Sequence, residues 1–254
     1  MSESGRYLFA VTRGLPAEGV AGTHGLRDAS LQLVPCGELQ AVVCSVDLAE
    51  FGEEPLRRNL EDLPWVEELA RTHDEVVRSV AEKATVAPMR LVTIYADDTR
   101  LREQIGLLHD ALVAALDRVD GCAEWSVKVY AGTAEPSRER PAREPATSGA
   151  AYLQRKRDQA TARQSADEKS AQVAQRIHDA LVGLADAART LAPQDPRLSG
   201  RSEPMVHNGA YLVPDEHAGS FRTTAESLTA DHPGMTVEVQ GPWPPYSFAV
   251  LEQT

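Results

Sequence analysis

The first part of the chain alternates short apolar runs with turn residues. Residues 7–12 (YLFAVT) form an apolar run typical of a buried strand, and a Gly-rich loop follows at 14–25. Two further runs, LQLVP and LQAVVCSV, are separated by Cys36, Gly37 and Glu38. Because glycine tolerates the backbone angles of a tight turn, this spacing predicts a β-hairpin.

A long amphipathic stretch begins at Trp65, directly after Pro64. Apolar residues recur there at helical spacing, which predicts a helix with one buried face. His73 falls on the same face as these apolar residues. The apolar positions are Trp65, Leu69, Val76, Val77, Val80 and Ala84.

Residues 86–131 predict a strand, a helix and a second strand in turn. The run VAPMRLVTIY is typical of a strand, and either Asp97 or Asp98 can accept backbone N–H bonds as the cap of the helix. Gly121 suits the end of that helix, and CAEWSVKVYA alternates as a strand with one apolar face. The helix positions are Leu101, Ile105, Leu108, Leu112, Leu116 and Val119, and the strand positions are Trp125, Val127 and Val129.

The composition changes at residues 134–148, where prolines and charged residues replace large apolar side chains, so this segment predicts a linker. A helix-permissive stretch then runs from 150 to 191. Residues 154–172 have no bulky apolar side chain, so the first half of this stretch should lie in solvent or on a partner. After it come a strand (MVHNGAYLV), a helix from Asp215 and a strand (MTVEVQG). The apolar stripe of the long helix is Val173, Ile177, Leu181, Leu184, Ala188 and Leu191.

The carboxyl-terminal segment GPWPPYSFAVLE combines prolines, which keep the chain extended, with the aromatic residues Trp243, Tyr246 and Phe248. Such a segment either covers the core of its own molecule or contacts a partner. Because buried aromatic residues usually serve packing, we expect the first arrangement and keep the second as the alternative.

Together these elements predict an α+β protein with two ferredoxin-like antiparallel-sheet domains joined by a Pro-rich linker and a long helix. The first domain is expected at residues 1–133 and the linker at 134–148. The second domain, led by the long helix, is expected at 149–241, and an aromatic and proline-rich tail at 242–254.

Charge and cysteine content narrow the classes of function. A net charge of −12 argues against nucleic acid and anionic membranes, which are bound mainly through Lys and Arg. Cys36, Cys44 and Cys122 are an odd number without a CxxC pair, as is typical of a reducing compartment. No apolar stretch approaches the ~20 residues of a spanning helix, and no signal-peptide pattern is present. We therefore expect a cytoplasmic protein.

Several segments together resemble the gas vesicle protein F/L family. They are a Trp-initiated helix with a His-x-Glu element leading into a Pro-x-Arg strand (65–95), the strand EWSVKV within 122–130, SGAAYLQRKR at 148–157, GAYLV at 209–213 and the closing GPWPPYSF. Members often continue the Pro-x-Arg strand with Phe-Gly-Thr, whereas this chain has Leu91, Val92 and Thr93.

Several residues could form a reactive site, but each also has a more common structural role. His73, Glu75, Arg90, Glu124 and Lys128 could converge as an acid–base cluster. However, a histidine on an apolar helix face is more often a hydrogen-bonded structural residue, and Arg90, on an apolar strand face, suggests a buried or interface ion pair. The histidines and cysteines lack metal-ligand spacing, and the glycines form no phosphate-binding loop. The residues predict no catalytic site, no cofactor and no metal.

The resemblance implies a non-enzymatic accessory role in building the gas vesicle, with the major shell protein and other accessory proteins as partners. Neither nucleic acid nor a lipid membrane is an expected partner. The alternatives are a small-molecule-binding regulatory or enzymatic protein on duplicated ferredoxin-like domains, and a minor component of the shell. The candidate partner-binding residues are Trp65, His73, Arg90, Trp243, Tyr246 and Phe248.

Overall fold

The chain folds into two compact units, each built around its own sheet. The first unit comprises Met1–Glu124 together with Pro242–Thr254, and the second comprises Trp125–Gly241. The last residues of the chain therefore belong to the first unit. The computed structural model describes residues 3–132, 149–194, 200, 201, 203–232 and 234–249.

The sheet of the first unit is antiparallel, in the order β2-β3-β1-β4, with β5 also paired to β1. The central strand β1 is paired along both edges and is buried along most of its length. Cys36 pairs with Leu39, so Gly37 and Glu38 form a two-residue loop, and Gly37 adopts a φ of 71°. This confirms the predicted hairpin. The strands are β1 (Ser4–Arg13), β2 (Gln32–Cys36), β3 (Leu39–Asp47), β4 (Val86–Pro88) and β5 (Ile94–Tyr95).

Five helices accompany this sheet in the described part of the first unit. The third begins beside Pro64 and buries the stripe predicted from its spacing, including Leu69, His73 and Val77. Asp97 caps the fourth, because its carboxylate accepts the backbone N–H groups of Thr99 and Arg100 at 2.8 and 2.9 Å. The helices are α1 (Leu48–Phe51), α2 (Glu53–Asn59), α3 (Leu63–Ala81), α4 (Asp98–Leu107) and α5 (His109–Val119).

The second unit follows the element order β-α-β-β-α-β, with strands in the order β7-β8-β6-β9. Its core joins the predicted inner face of β6 to Ile177, Leu181 and Phe221 of the two helices. The strands are β6 (Cys122–Ala131), β7 (Ala187–Thr190), β8 (Met205–Pro214) and β9 (Met235–Trp243), and the helices are α6 (Gly149–Val182) and α7 (Ala218–Asp231).

Two antiparallel sheets with helices confirm the α+β class. In the first unit, however, the described segment between β1 and β2 holds two short 3-10 turns and no α-helix. The ferredoxin-like duplication therefore stays a prediction.

The structure corrects several predicted elements. The strand predicted at 86–95 is interrupted by a turn between β4 and β5, and the helix expected at 98–119 breaks at Leu108. The long helix ends at Val182 instead of continuing to 191, because Ala187–Thr190 pairs with β8 as a strand. Local spacing did not reveal this long-range pairing.

The boundary between the units also differs from the predicted one. It falls between Glu124 and Trp125, within β6, rather than after residue 133. The strand β6, expected to close the first sheet, pairs in the second sheet instead. The alternation of apolar residues shows that a strand has a buried face, but it does not show which sheet the strand joins. The predicted linker at 134–148 lies outside the described residues.

Candidate functional site

The carboxyl-terminal tail, residues 242–249, packs onto the first unit. A turn follows its prolines, because the backbone N–H groups of Phe248 and Ala249 both donate to the Pro245 carbonyl, at 3.1 and 2.9 Å. Phe248 is only 2% exposed, and Pro244 is buried as well. The tail therefore supplies core residues to the unit in which the chain begins.

Glu124 holds the tail through a double hydrogen bond to Ser247. The backbone N–H of Ser247 donates to one carboxylate oxygen at 2.7 Å, and its hydroxyl donates to the other at 2.6 Å. The Arg118 guanidinium donates to the Phe248 carbonyl at 3.2 Å. Hydrogen bonds to charged groups are the stronger kind, so these contacts fix the tail backbone as well as its side chains.

The aromatic side chains of the tail rest on α3. The Tyr246 ring centroid lies 6.4 Å from that of His73. The Arg78 guanidinium lies 4.1 Å above the Trp243 ring, a cation–π geometry, and also pairs with Asp74 at 2.7 Å. Burial raises the pKa of the Tyr246 hydroxyl well above its usual range. This hydroxyl therefore remains protonated at neutral pH.

His73 lies beneath the tail as a buried, neutral residue. It is 3% exposed, and its Nδ1 lies 3.0 Å from the Tyr7 hydroxyl, which accepts the Val92 N–H at 3.2 Å. Nδ1 and the Tyr7 hydroxyl share one hydrogen bond, whose direction is set by which ring nitrogen carries the proton. Burial lowers the pKa of His73 to about 4, although the Met89 carbonyl and the Asp74 charge act in the opposite direction.

Trp65 takes part in an ion-pair network at the start of α3. Its indole N–H donates to Glu50 at 2.7 Å, and Arg27 donates to both Glu50 and Glu68, at 2.6 and 2.5 Å. The Arg27 guanidinium lowers the pKa of Glu50. Arg27 and Asp28 adopt φ angles of 53° and 57°, a strained conformation for residues with side chains. The network therefore stabilises an unfavourable backbone.

A polar cleft of about 410 Å³ lies next to this network. It is lined by the loop at 22–28 and by three residues of α3: Glu68, Thr72 and Glu75. Its carboxylates outnumber its single arginine, and Arg27 is already paired with Glu68. The cleft therefore favours positively charged groups.

Arg90 lies in the turn between β4 and β5 and is exposed, which corrects the expectation of a buried ion pair. Its guanidinium forms no ion pair within the part of the chain that the structure describes. The predicted strand face is absent here because Val92 adopts a φ of 63°. For a β-branched residue this conformation is strained, and the Val92 N–H bond to Tyr7 helps to hold it.

The proposed acid–base cluster is not assembled in the first unit. His73 bonds to Tyr7 and Glu124 bonds to Ser247, whereas Glu75 and Arg90 are exposed. Lys128 belongs to the second unit. A histidine with a pKa of about 4 is also a poor proton acceptor at neutral pH, which favours a structural role for His73.

The second unit contains a histidine–tyrosine cluster that sequence reasoning missed. The Tyr211 hydroxyl lies 2.8 Å from His178 Nδ1 and 2.9 Å from His207 Nε2. Burial, followed by the charge of His178, lowers the pKa of His207 to about 4. A Cβ added at Gly209 would lie 2.6 Å from His207 Nε2, so glycine leaves room for the cluster. The alternation of 207, 209 and 211 on one strand face was the available signal.

The described residues show neither a metal centre nor a membrane-spanning helix. They contain no group of three or more His, Cys, Asp or Glu side chains placed to hold a metal ion. Their helices include none long and apolar enough to cross a membrane.

Comparison with known proteins identifies related sequences and folds. Residues 5–250 match the family described as gas vesicle synthesis protein GvpL/GvpF. Gas vesicle protein L of Streptomyces sp. is 39% identical, over 98% of this chain and 94% of that protein. Gas vesicle protein L2 of Halobacterium salinarum is 26% identical, over 96% and 91%. The crystal structure of GvpF from Anabaena sp. has a similar fold, with a TM-score of 0.72 at 19% identity over 98% of both chains.

Proposed function

Because the chain belongs to the GvpL/GvpF family of gas vesicle synthesis proteins, we propose that it binds the small apolar shell protein as an accessory factor during vesicle assembly. A role in gas vesicle assembly follows from the family itself. Binding of the shell protein, assistance with nucleation or growth, and a cytoplasmic location beside the vesicle are the further parts of the proposal. The relatives are named as gas vesicle proteins and not as enzymes.

The physical reason for such a factor lies in the shell protein. The resemblance implies shell subunits that are small and strongly apolar, and exposed apolar surface promotes aggregation before incorporation. An acidic protein with a net charge of −12 remains dispersed and can keep a bound apolar partner dispersed as well.

The observation that carries the proposal is the way the first unit holds its own tail. The unit binds a proline-rich and aromatic segment, which turns at Pro245, through both a buried ring and backbone hydrogen bonds. Proteins also recognise peptides by combining side-chain pockets with main-chain hydrogen bonds. The way the tail is held supports the idea that this unit can hold an apolar segment of a partner.

We assign the six candidate partner-binding residues to two roles. His73, Tyr246 and Phe248 support the surface from within, because His73 and Phe248 are buried and Tyr246 packs against the core cluster. We assign direct contact with the partner to exposed Arg90 and to the half-exposed rings of Trp65 and Trp243. The turn that carries Arg90 packs on the same core cluster as Tyr246, through Leu91 and Val92.

Truncation after Gly241 tests the internal role of the tail. We expect a lower melting temperature, because removing a buried aromatic side chain typically costs about 3–5 kcal/mol. Loss of co-purification with the shell protein should accompany the loss of stability. An unchanged melting temperature with lost binding would instead identify the tail as the docking element itself.

Arg90→Glu tests the direct contact, with Arg58→Glu as the matched control. Both arginines are exposed and form no side-chain ion pair within the described residues, so neither change should alter the melting temperature. We expect only Arg90→Glu to reduce co-purification with the shell protein. Equal binding by both variants would remove Arg90 from the contact, and failure of the unmodified protein to bind the shell protein would refute the proposed function.

A further inference from the structure

We propose that the amino-terminal half of α6 docks on α3 of a second copy of this chain. The donor surface, here called the basic stripe, consists of Tyr152, Lys156, Gln159 and Arg163. The acceptor surface, called the acidic stripe, consists of Glu68, Glu75 and Glu82. The proposal goes beyond vesicle-protein binding and does not depend on it.

The first half of α6 has no partner in the described structure. Every residue from 152 to 169 is exposed, whereas Ile177 and Leu181 in the second half are fully buried. Tyr152 and Leu153 are large apolar residues that remain 59% and 57% exposed. In proteins most helical stability comes from tertiary packing, so a partner would stabilise this half.

The basic stripe occupies one side of the helix. Positions 152, 156, 159 and 163 follow the i, i+4, i+7, i+11 spacing, which places them within about 60° of one another. Residues 152–166 contain four basic side chains and one acidic side chain, although the whole chain carries a net charge of −12. The remaining residues are therefore strongly acidic, and another copy of the chain offers the complementary charge.

The acidic stripe has the matching repeat. Glu68, Glu75 and Glu82 are exposed and seven residues apart, which corresponds to about 10.5 Å along a helix. Lys156 and Arg163 are also seven residues apart, so both can meet successive carboxylates of the acidic stripe in one register.

Most of the acidic stripe is available for new ion pairs. Within the described residues, Glu75 and Glu82 form no ion pair, and only Glu68 is engaged, by Arg27. The neighbouring cations of α3 are already paired, Arg71 with Glu67 and Arg78 with Asp74. The polar cleft of about 410 Å³ beside Glu75 provides room for a long basic side chain.

This contact joins two different surfaces, so it is heterologous. After one contact the donor copy still has its acidic stripe and the acceptor copy still has its basic stripe, which allows rings or open chains. Because exposed charges are screened by salt, the association should depend on both protein concentration and ionic strength.

Light scattering and sedimentation of the full chain test the proposal. At about 50 mM salt we expect the mass to rise with concentration above the 27.6 kDa of the monomer, and to return to it at about 500 mM. The double variant Lys156→Glu, Arg163→Glu should remain monomeric. The control Arg157→Glu, Lys169→Glu, with the same charge change away from the stripe, should associate like the unmodified protein.

Mixing complementary variants provides the sharper test. A variant with Glu75→Gln and Glu82→Gln should be monomeric alone, as should a second variant with Lys156→Gln and Arg163→Gln. Their mixture should form dimers and nothing larger, because only one intact stripe of each kind remains. A monomeric parent protein, association that survives reversal of the basic stripe, or a mixture that stays monomeric would overturn the proposal. So would binding of the stripe to phosphatidylglycerol vesicles without self-association.

Discussion

His73 should make the first unit less stable as the pH falls from 7 to 5. Burial lowers the pKa of His73 to about 4 in the folded protein, whereas histidine in an unfolded chain titrates near 6.5. Between these values the unfolded chain binds more protons than the folded one, so the free energy of unfolding decreases as the pH decreases. The stabilisation is complete above about pH 6.5 and is lost as the pH falls towards 4.

The size of the effect follows from the two pKa values. Integrated from pH 7 to pH 5, one such histidine lowers the free energy of unfolding by roughly 2 kcal/mol. His73→Gln removes this titration, so the variant should lose about 2 kcal/mol less over that range. At pH 7 the same variant should be less stable by about 1–3 kcal/mol, because the contacts of the ring with Tyr7 are altered.

The measurement must report on the first unit alone, because His207 in the second unit also has a pKa of about 4. Hydrogen exchange of the α3 amides in urea at pH 5, 6 and 7 meets this need. Leu69→Ala is the control, since this residue is buried on the same helix but does not titrate. It should lower stability by about 2–5 kcal/mol at every pH. Parallel pH profiles for His73→Gln and the unmodified protein would refute the reasoning.

Three further predictions follow from particular contacts. Limited proteolysis should cut within residues 134–172, because residues 152–169 of α6 are exposed, and resistance throughout that range would contradict the exposure of this half of the helix. Tyr7→Phe should lower the free energy of unfolding by about 1–3 kcal/mol in chemical denaturation, because it removes the hydroxyl shared by a histidine ring and a backbone N–H. Gly209→Ala should lower the free energy of unfolding by a similar amount, because the added Cβ crowds His207. Gly106→Ala, with open space around it in α4, should be neutral or stabilising. Thermal melts that rank the two variants the other way would disprove this.

Sequence reasoning succeeded where a pattern is local. The stripe of α3, including His73, could be predicted because helical spacing directly encodes which face is buried. The hairpin at Gly37 was predictable for a similar reason, since the backbone angles of the turn favour glycine at that position.

Sequence reasoning failed where a contact joins distant parts of the chain. Nothing local connects Glu124 to Ser247, although their hydrogen bonds fix the tail. The run around Val92 looks like a strand, but its backbone is left-handed and is held in part by the bond from its N–H to the distant Tyr7 hydroxyl. Likewise, the pattern of β6 shows an apolar face, but its partners in the second sheet are set by the whole fold.

The return of the tail to the first unit has a consequence for synthesis of the chain. The ribosome must translate the whole second unit, residues 125–241, before Ser247 can meet Glu124. At roughly 5–20 residues per second this delay lasts about 6–25 s. During that time the site that Phe248 will fill is open on the nascent chain. A chaperone, or the tail of a neighbouring nascent chain, has this interval in which to occupy it, and the first unit becomes complete only after the second unit has been translated.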